Sequence, residues 1–190
     1  MKISAIIMAS GLSERMGTNK LLMKVFDKKL YQQTLDLVEK VGFDQVILVS
    51  SYKEILEDGE NRGFISLYNE NNIVGKSESI KLGVNNTKED SAMMFFVADQ
   101  PLLSLETVKV LIEEFRKNPM ITYPRSTKRR GAPVIFPSQY RDDLLNLTYD
   151  QGGMVLVKDD NKNEVLIEDV RELWDVDTYE NLMEIRDLYE

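Results

Sequence analysis

Four short apolar runs punctuate the first half of the chain: Ser4–Met8, Gln45–Ser50, Phe64–Tyr68 and Ala92–Val97. Each is continuous rather than alternating, the pattern of strands buried on both faces of a parallel sheet. Helical patterns stand among and after them at Leu30–Val41, Ser77–Val84 and Leu105–Lys117, the last preceded by Ser104 as an N-cap. Strand followed by helix in this order constrains the chain to an α/β fold, with a mostly parallel sheet between helical layers and right-handed crossovers. After Lys117 the rhythm changes. "MITYPRSTKRRGAPVIF", residues 120–136, reads as two strands joined by a basic loop, which predicts an antiparallel excursion. A short helix around Ser138–Leu147, a "YDQGG" turn, a strand near Glu164–Ile167 and a final helix from about Thr178 follow. With 190 residues of which 43% are hydrophobic, residues 1–190 are expected to form a single domain.

In open α/β sheets ligands bind beyond the carboxyl ends of the strands, and the first strand runs into "ASGLSERMGTNK", residues 9–20. Small side chains at Ala9, Ser10 and Gly11 let backbone N–H groups approach an anion, while Arg15 and Lys20 add two cations. The loop therefore looks like a triphosphate cradle. It is not a Walker A loop, because Lys20 stands three residues after Gly17 and is not followed by Ser or Thr; it is not G-x-G-x-x-G either.

The chain has no histidine and no cysteine, which excludes imidazole and thiolate catalysis and the usual zinc sites. What remains is carboxylates, Lys, Arg, hydroxyls, backbone N–H groups and a hard cation such as magnesium. The net charge of −8 sits at one end: residues 158–190 carry 12 of the 32 acidic side chains but 4 of the 24 basic ones. Only "RSTKRR", residues 125–130, is a basic cluster, so a nucleic-acid partner is not expected. No apolar run approaches the ~20 residues that cross a bilayer, and no signal-type segment is seen, so a cytoplasmic protein without a membrane partner is expected.

"ASGLSERMGTNKLL" is similar to the signature G-x-S-x-R-M-G-x-x-K-L of the molybdenum cofactor nucleotidylyltransferases, a branch of the NTP transferases. Three further stretches follow in that family's order: "GKSESIKLG" at 75–83, "VADQPLL" at 97–103, and "RGAPVIF" with "DQGG" at 130–136 and 150–153. The resemblance spans essentially the whole chain. It implies a three-layer, Rossmann-like fold of the glycosyltransferase-A type. It also implies transfer of a nucleoside monophosphate from an NTP to the terminal phosphate of a molybdopterin, with release of pyrophosphate. A phosphate nucleophile is already anionic, so positioning and charge neutralisation suffice without a protein base.

Carried over residue by residue, the resemblance assigns nucleotide contacts to Ala9, Ser10, Gly11, Leu12, Ser13, Arg15, Lys20, Ser77 and Ser79. Arg15, Lys20 and Asp99 become the catalytic set, with Asp99 and Asp177 as ligands of Mg2+ and Asp175 nearby. Arg130, Asp150 and Gln151 fall on the acceptor side. "GLSERMG" is closest to the cytidylyl branch, and a compact Leu12 wall suits a pyrimidine, which favours CTP over GTP. A molybdenum hydroxylase apoenzyme or its accessory protein would receive the product. Ala132, Met154 and Lys24 stand where the family often has histidine, arginine and proline.

Plainer structural roles compete at several positions. Asp99 before Gln100 and Pro101 is also a turn former. Asp177 with Glu180 makes a D-x-x-E helix-capping pattern, and Ser77 and Ser79 suit a helix start. Asp150 and Gln151 suit a turn, "RSTKRR" a solvated hairpin tip, and Trp174 packing. A nucleotidylyltransferase using GTP or a sugar phosphate, or a non-catalytic nucleotide- or cofactor-binding protein, are the alternative readings.

Overall fold

The computed structural model describes residues 1–13, 16–127 and 129–188. The chain runs β1 (Ile3–Ala9), a short hairpin of β2 (Lys24–Val25) and β3 (Lys28–Lys29), α1 (Leu30–Val41), β4 (Gln45–Ser50), α2 (Lys53–Asn61), β5 (Ile65–Tyr68), α3 (Lys76–Asn85) and β6 (Ala92–Val97). It continues through α4 (Leu105–Lys117), β7 (Ile121–Arg125), β8 (Val134–Phe136), α5 (Arg141–Leu145), β9 (Lys162–Leu166) and α6 (Tyr179–Asp187). Seven strands form one sheet in the order β5-β4-β1-β6-β8-β7-β9. β5, β4, β1 and β6 are mutually parallel, β8 is antiparallel to both its neighbours, and β9 returns parallel to β7.

Two-sided burial follows residue by residue from the strand period. On β1, Ile3, Ala5, Ile7 and Ala9 face one core with Ala92, Met94 and Phe96 of β6, while Ile6 faces the other with Met93 and Phe95. The first core is closed by α1, α4 and α6, the second by α3 and α5. The result is a helix–sheet–helix sandwich. α4 starts where Ser104 Oγ accepts the Thr107 N–H at 3.0 Å, and buries Val108, Leu111, Ile112 and Phe115 at helical spacing. α1 ends at Gly42, whose φ of 72° stops the helix in the left-handed region.

Two elements have no counterpart in the hydrophobic pattern. α2 buries only Ile55 and Gly59, too few for an apolar stripe. A Cβ on Gly59 would lie 2.4 Å from Leu48 Cδ2, so the helix packs on β4 through close backbone approach at Gly59 together with the single buried side chain of Ile55. The β2–β3 hairpin has only two residues in each strand, below the length at which alternation can be read.

Chain order reverses at β1: β4 and β5 lie to one side and β6 to the other. A crevice therefore opens beyond the carboxyl ends of β1 and β6. The C-terminal segment crosses it, held by the Val176 N–H, which donates to the Asp99 carbonyl at 3.0 Å. Gly75, just before α3, closes another side. Its φ is 137° and a Cβ would lie 2.4 Å from the Tyr149 carbonyl, while the Ser77 N–H donates to that same carbonyl at 3.0 Å. Gly75→Ala is expected to cost about 1–3 kcal/mol through left-handed strain and collision with backbone. A denaturant midpoint unchanged from wild type would refute this.

Candidate active site

At the crevice the loop after β1 turns back on itself. Ser13 adopts φ 54°, its carbonyl accepts the Met16 N–H at 3.0 Å, and its hydroxyl accepts the Lys20 N–H at 3.1 Å. Asn19 then caps a single 3-10 turn, Lys20–Leu22, by accepting the Leu21 N–H at 3.0 Å. This curl places Lys20 on the crevice floor. Its Nζ donates to Asp99 Oδ2 at 2.7 Å and to Asp177 Oδ1 at 3.0 Å. Burial pulls the ammonium pKa down, but the two carboxylates outweigh it and hold Lys20 above its ordinary value. Burial pushes the Asp99 carboxyl up, with Lys20 opposing and the neighbouring Asp175 and Asp177 adding to the rise.

Around this triad lies a cleft of about 580 Å³. Ser10, Gly11, Leu12, Ser13, Lys20, Ser79, Asp99, Asp150 and Asp177 all line it, as does Asp175. A Cβ on Gly11 would meet nothing within 4 Å and its φ is not left-handed. Neither packing nor backbone conformation requires glycine there, which leaves open space in the cleft as its effect.

The remaining predicted residues are placed differently. Ala9 faces the core, and its carbonyl accepts the Ser50 hydroxyl at 2.9 Å. Ser77 is fully buried, with its N–H spent on Tyr149, so the start of α3 is partly stoppered by protein. Gln151 lines neither cavity; its Oε1 accepts from the Thr148 N–H at 2.9 Å and hydroxyl at 3.1 Å, a turn-closing role. Arg15 lies outside the described residues. The capping reading of Asp177 is not what the structure adopts: Thr178 caps α6, accepting the Asn181 N–H at 3.2 Å, and Asp177 turns to Lys20. Trp174 packs against the first core.

A second cavity of about 290 Å³ adjoins the first, and Met8, Lys76, Val97 and Asp175 line both. Its walls are mostly apolar, including Ile80, Phe95, Val134, Phe136 and Met154, with Ala132 among them. Arg129 and Arg130 stand at it. Arg129 Nη2 is 2.6 Å from Asp175 Oδ2, and Asp175 Oδ1 accepts from Gln100 Nε2 at 2.9 Å. Arg130 Nη2 is 3.3 Å from Glu164 Oε1, its guanidinium 5.6 Å above the Tyr123 ring. Sequence reasoning singled out Arg130 and passed over Arg129 and Lys76, although both lie in stretches it quoted. Side-chain direction at a hairpin tip or helix start carries no periodic signal.

This architecture is an α/β fold with a carboxylate–lysine floor at its switch point, the place where open sheets of this class bind their ligands. The sequence model of the MobA-like NTP transferase domain matches residues 5–165, and the chain belongs to that family. A probable molybdenum cofactor guanylyltransferase of Natranaerobius thermophilus is 30% identical over 118 residues, 61% of this chain and 56% of that relative. The match thus spans little more than half the relative's length. Among solved structures, Rv0371c of Mycobacterium tuberculosis in complex with manganese superposes with a TM-score of 0.83 at 21% identity, covering 98% of this chain and 99% of that one. A nucleotidyl transferase of Methanothermobacter superposes at 0.82 with 22% identity, covering 98% and 97%. Both share the fold predicted from the sequence. No helix among the described residues is long and apolar enough to cross a membrane.

Lys20→Met would leave Asp99 buried without its cation. The expected loss is about 1–3 kcal/mol of stability at pH 7, less than for a fully sequestered pair because Asp177 is half exposed and Asp99 can take up a proton. The mutation removes the influence that lowers the Asp99 pKa, so that pKa rises further. A carboxyl whose folded pKa is raised contributes most at low pH and loses that contribution as pH rises through the folded value. The deficit of the mutant should accordingly shrink between pH 7 and pH 4 in urea titrations; a constant deficit would refute the pairing.

Proposed function

We propose that this chain is a nucleotidylyltransferase that moves a nucleoside monophosphate from an NTP onto the terminal phosphate of molybdopterin, releasing pyrophosphate. The observation that carries the reading is the Lys20–Asp99–Asp177 cluster on the floor of a cleft walled by the loop after β1. In this reading Ser10–Ser13 face the nucleotide, Lys20 and Arg15 neutralise its phosphates, and the acceptor enters from the second cavity, near Arg130.

The donor set suits a divalent cation. Asp99 and Asp177 already converge on one positive centre, at 2.7 and 3.0 Å. A divalent cation held by two carboxylates completes its shell with phosphate oxygens and water, as magnesium does. When bound, it would neutralise charge on the phosphates and so favour departure of pyrophosphate. The manganese bound by the Mycobacterium tuberculosis neighbour is in keeping with this. With Asp99 and Asp177 holding the cation, the Lys20 ammonium would be available to neutralise the nucleotide's phosphate oxygens. Asp150, at the cleft wall, belongs in this arrangement to the nucleotide side rather than the acceptor side.

For the base, the reading favours CTP, because Leu12 forms an exposed apolar wall of the cleft beside Gly11. GTP is the second reading, favoured by the 30% identical relative described as a guanylyltransferase. Turnover of CTP and GTP with molybdopterin and magnesium, followed by pyrophosphate release, decides between them; tenfold preference for GTP would overturn the first. Asp99→Asn is expected to reduce turnover by roughly 10²–10³-fold, the scale for losing one preorganised electrostatic group. Manganese should raise the thermal midpoint of Lys20→Met more than that of wild type, because the ammonium no longer competes for the two carboxylates. An Asp99→Asn enzyme with wild-type turnover would sink the mechanism.

A further inference from the structure

Joining two phosphates requires a positive charge where they meet, since each carries negative charge, the second cavity is mostly apolar, and the first is lined by the carboxylates Asp99, Asp150, Asp175 and Asp177. Most cations on the two cavities are already engaged. Lys20 is held by Asp99 and Asp177, Arg129 by Asp175 and Arg130 by Glu164. Lys76 differs. It lines both cavities, is exposed, and forms no ion pair or hydrogen bond through its side chain among the described residues. Its backbone position is nonetheless fixed. Gly75 is pressed against the Tyr149 carbonyl and the Ser77 N–H donates to that same carbonyl, so the residue between them cannot drift along the rim.

Resting on the nucleotidylyltransferase reading, we propose that Lys76 binds the acceptor's phosphate and steers it against the α-phosphorus of the nucleotide. The acceptor is then a phosphate monoester whose body lies in the second cavity against Ile80, Phe95 and Phe136. Its phosphate projects back to the junction shared with the first cavity. There an oxygen of that phosphate forms a bond to the α-phosphorus, and the bond from the α-phosphorus to the oxygen bridging to the β-phosphorus breaks. Pyrophosphate leaves with that electron pair. No proton is needed from the protein, and Lys76 keeps its own throughout. A lysine suits this position because its long stem can follow the phosphate from the second cavity to the first, whereas a forked guanidinium would favour one bidentate pose.

The test separates this residue's role from the identity of the acceptor. Inorganic phosphate is titrated calorimetrically into protein saturated with magnesium and whichever of CTP or GTP binds, using wild type, Lys76→Met and Lys76→Arg. Wild type should bind phosphate, Lys76→Met at least about tenfold more weakly, and Lys76→Arg should recover most of the loss, as for a charge-assisted contact. Nucleotide affinity and thermal midpoint should be unchanged in both variants. Equal phosphate binding in wild type and Lys76→Met would overturn the proposal. So would no phosphate binding to wild type, or an equal loss of nucleotide affinity. A parallel assay with molybdopterin expects a raised KM for that acceptor in Lys76→Met with the NTP KM unchanged. Failure of molybdopterin to react with wild type, alongside the expected phosphate result, would reject molybdopterin as acceptor and leave Lys76 in place. Normal molybdopterin kinetics in Lys76→Met would reject Lys76 and leave the reaction in place.

Discussion

A single ammonium group, Lys20 Nζ, joins three parts of the chain that are far apart in sequence. It sits 2.7 Å from Asp99 at the end of β6 and 3.0 Å from Asp177 in the segment leading to α6, while its own backbone closes the loop after β1. Without a positive charge there, two carboxylates would face each other across a crevice with Asp175 close by, and burial would make their ionisation costly. The loop curl, the crossing of the C-terminal segment and the floor of the cleft are thus aspects of one electrostatic arrangement. The Val176 N–H to Asp99 carbonyl bond fixes the backbone of that crossing, so the carboxylates meet at Lys20 by construction rather than by side-chain flexibility.

The same arrangement explains why a chain without histidine or cysteine can still offer a chemically capable site. Two carboxylates that converge on one cation form a place where positive charges are interchangeable. Under the proposed function a hydrated divalent ion would take the place that the ammonium group of Lys20 holds, at a different coordination number. The proposed reaction needs such interchange more than it needs acid–base chemistry, because neither the nucleophile nor the leaving group must exchange a proton with the protein. The apolar second cavity beside it serves a complementary end. With few exposed polar groups to compete, charge at the shared rim acts over a shorter and drier path.

How much of this could be read from the sequence depends on whether the information was periodic. β1 and β6 were legible as continuous apolar runs because both faces of the sheet are covered, and α4 because Ser104 and the stripe from Val108 to Phe115 carry both a start signal and a period. α2 was not legible, because it packs through close approach at Gly59 and the single side chain of Ile55 rather than through an apolar face. In the site, the loop after β1 stood out through composition and position at a strand end, whereas Asp99 was assigned through the family resemblance. Asp177 was ambiguous until the cap of α6 proved to be Thr178. Ala9 shows a limit of composition: strand alternation turns its side chain into the core, and unlike Ser10 and Gly11 it does not line the cleft.

Charge partnership is a three-dimensional property, and it redistributes roles that composition alone would assign evenly. "RSTKRR" presents its charges as one block, yet Arg129 is tied to Asp175 and Arg130 to Glu164 and the Tyr123 ring. The acidic C-terminal segment, residues 158–190, works in the same way. Glu164, Asp175 and Asp177 are its contribution to the site, each neutralising a cation that arrives from elsewhere in the chain. An excess of acid at one end of the sequence thus becomes, after folding, a local balance of charge around the two cavities. Among the described residues, the cation on the two cavities that this balance leaves without a partner is Lys76, at the junction lined otherwise by Met8, Val97 and the already paired Asp175.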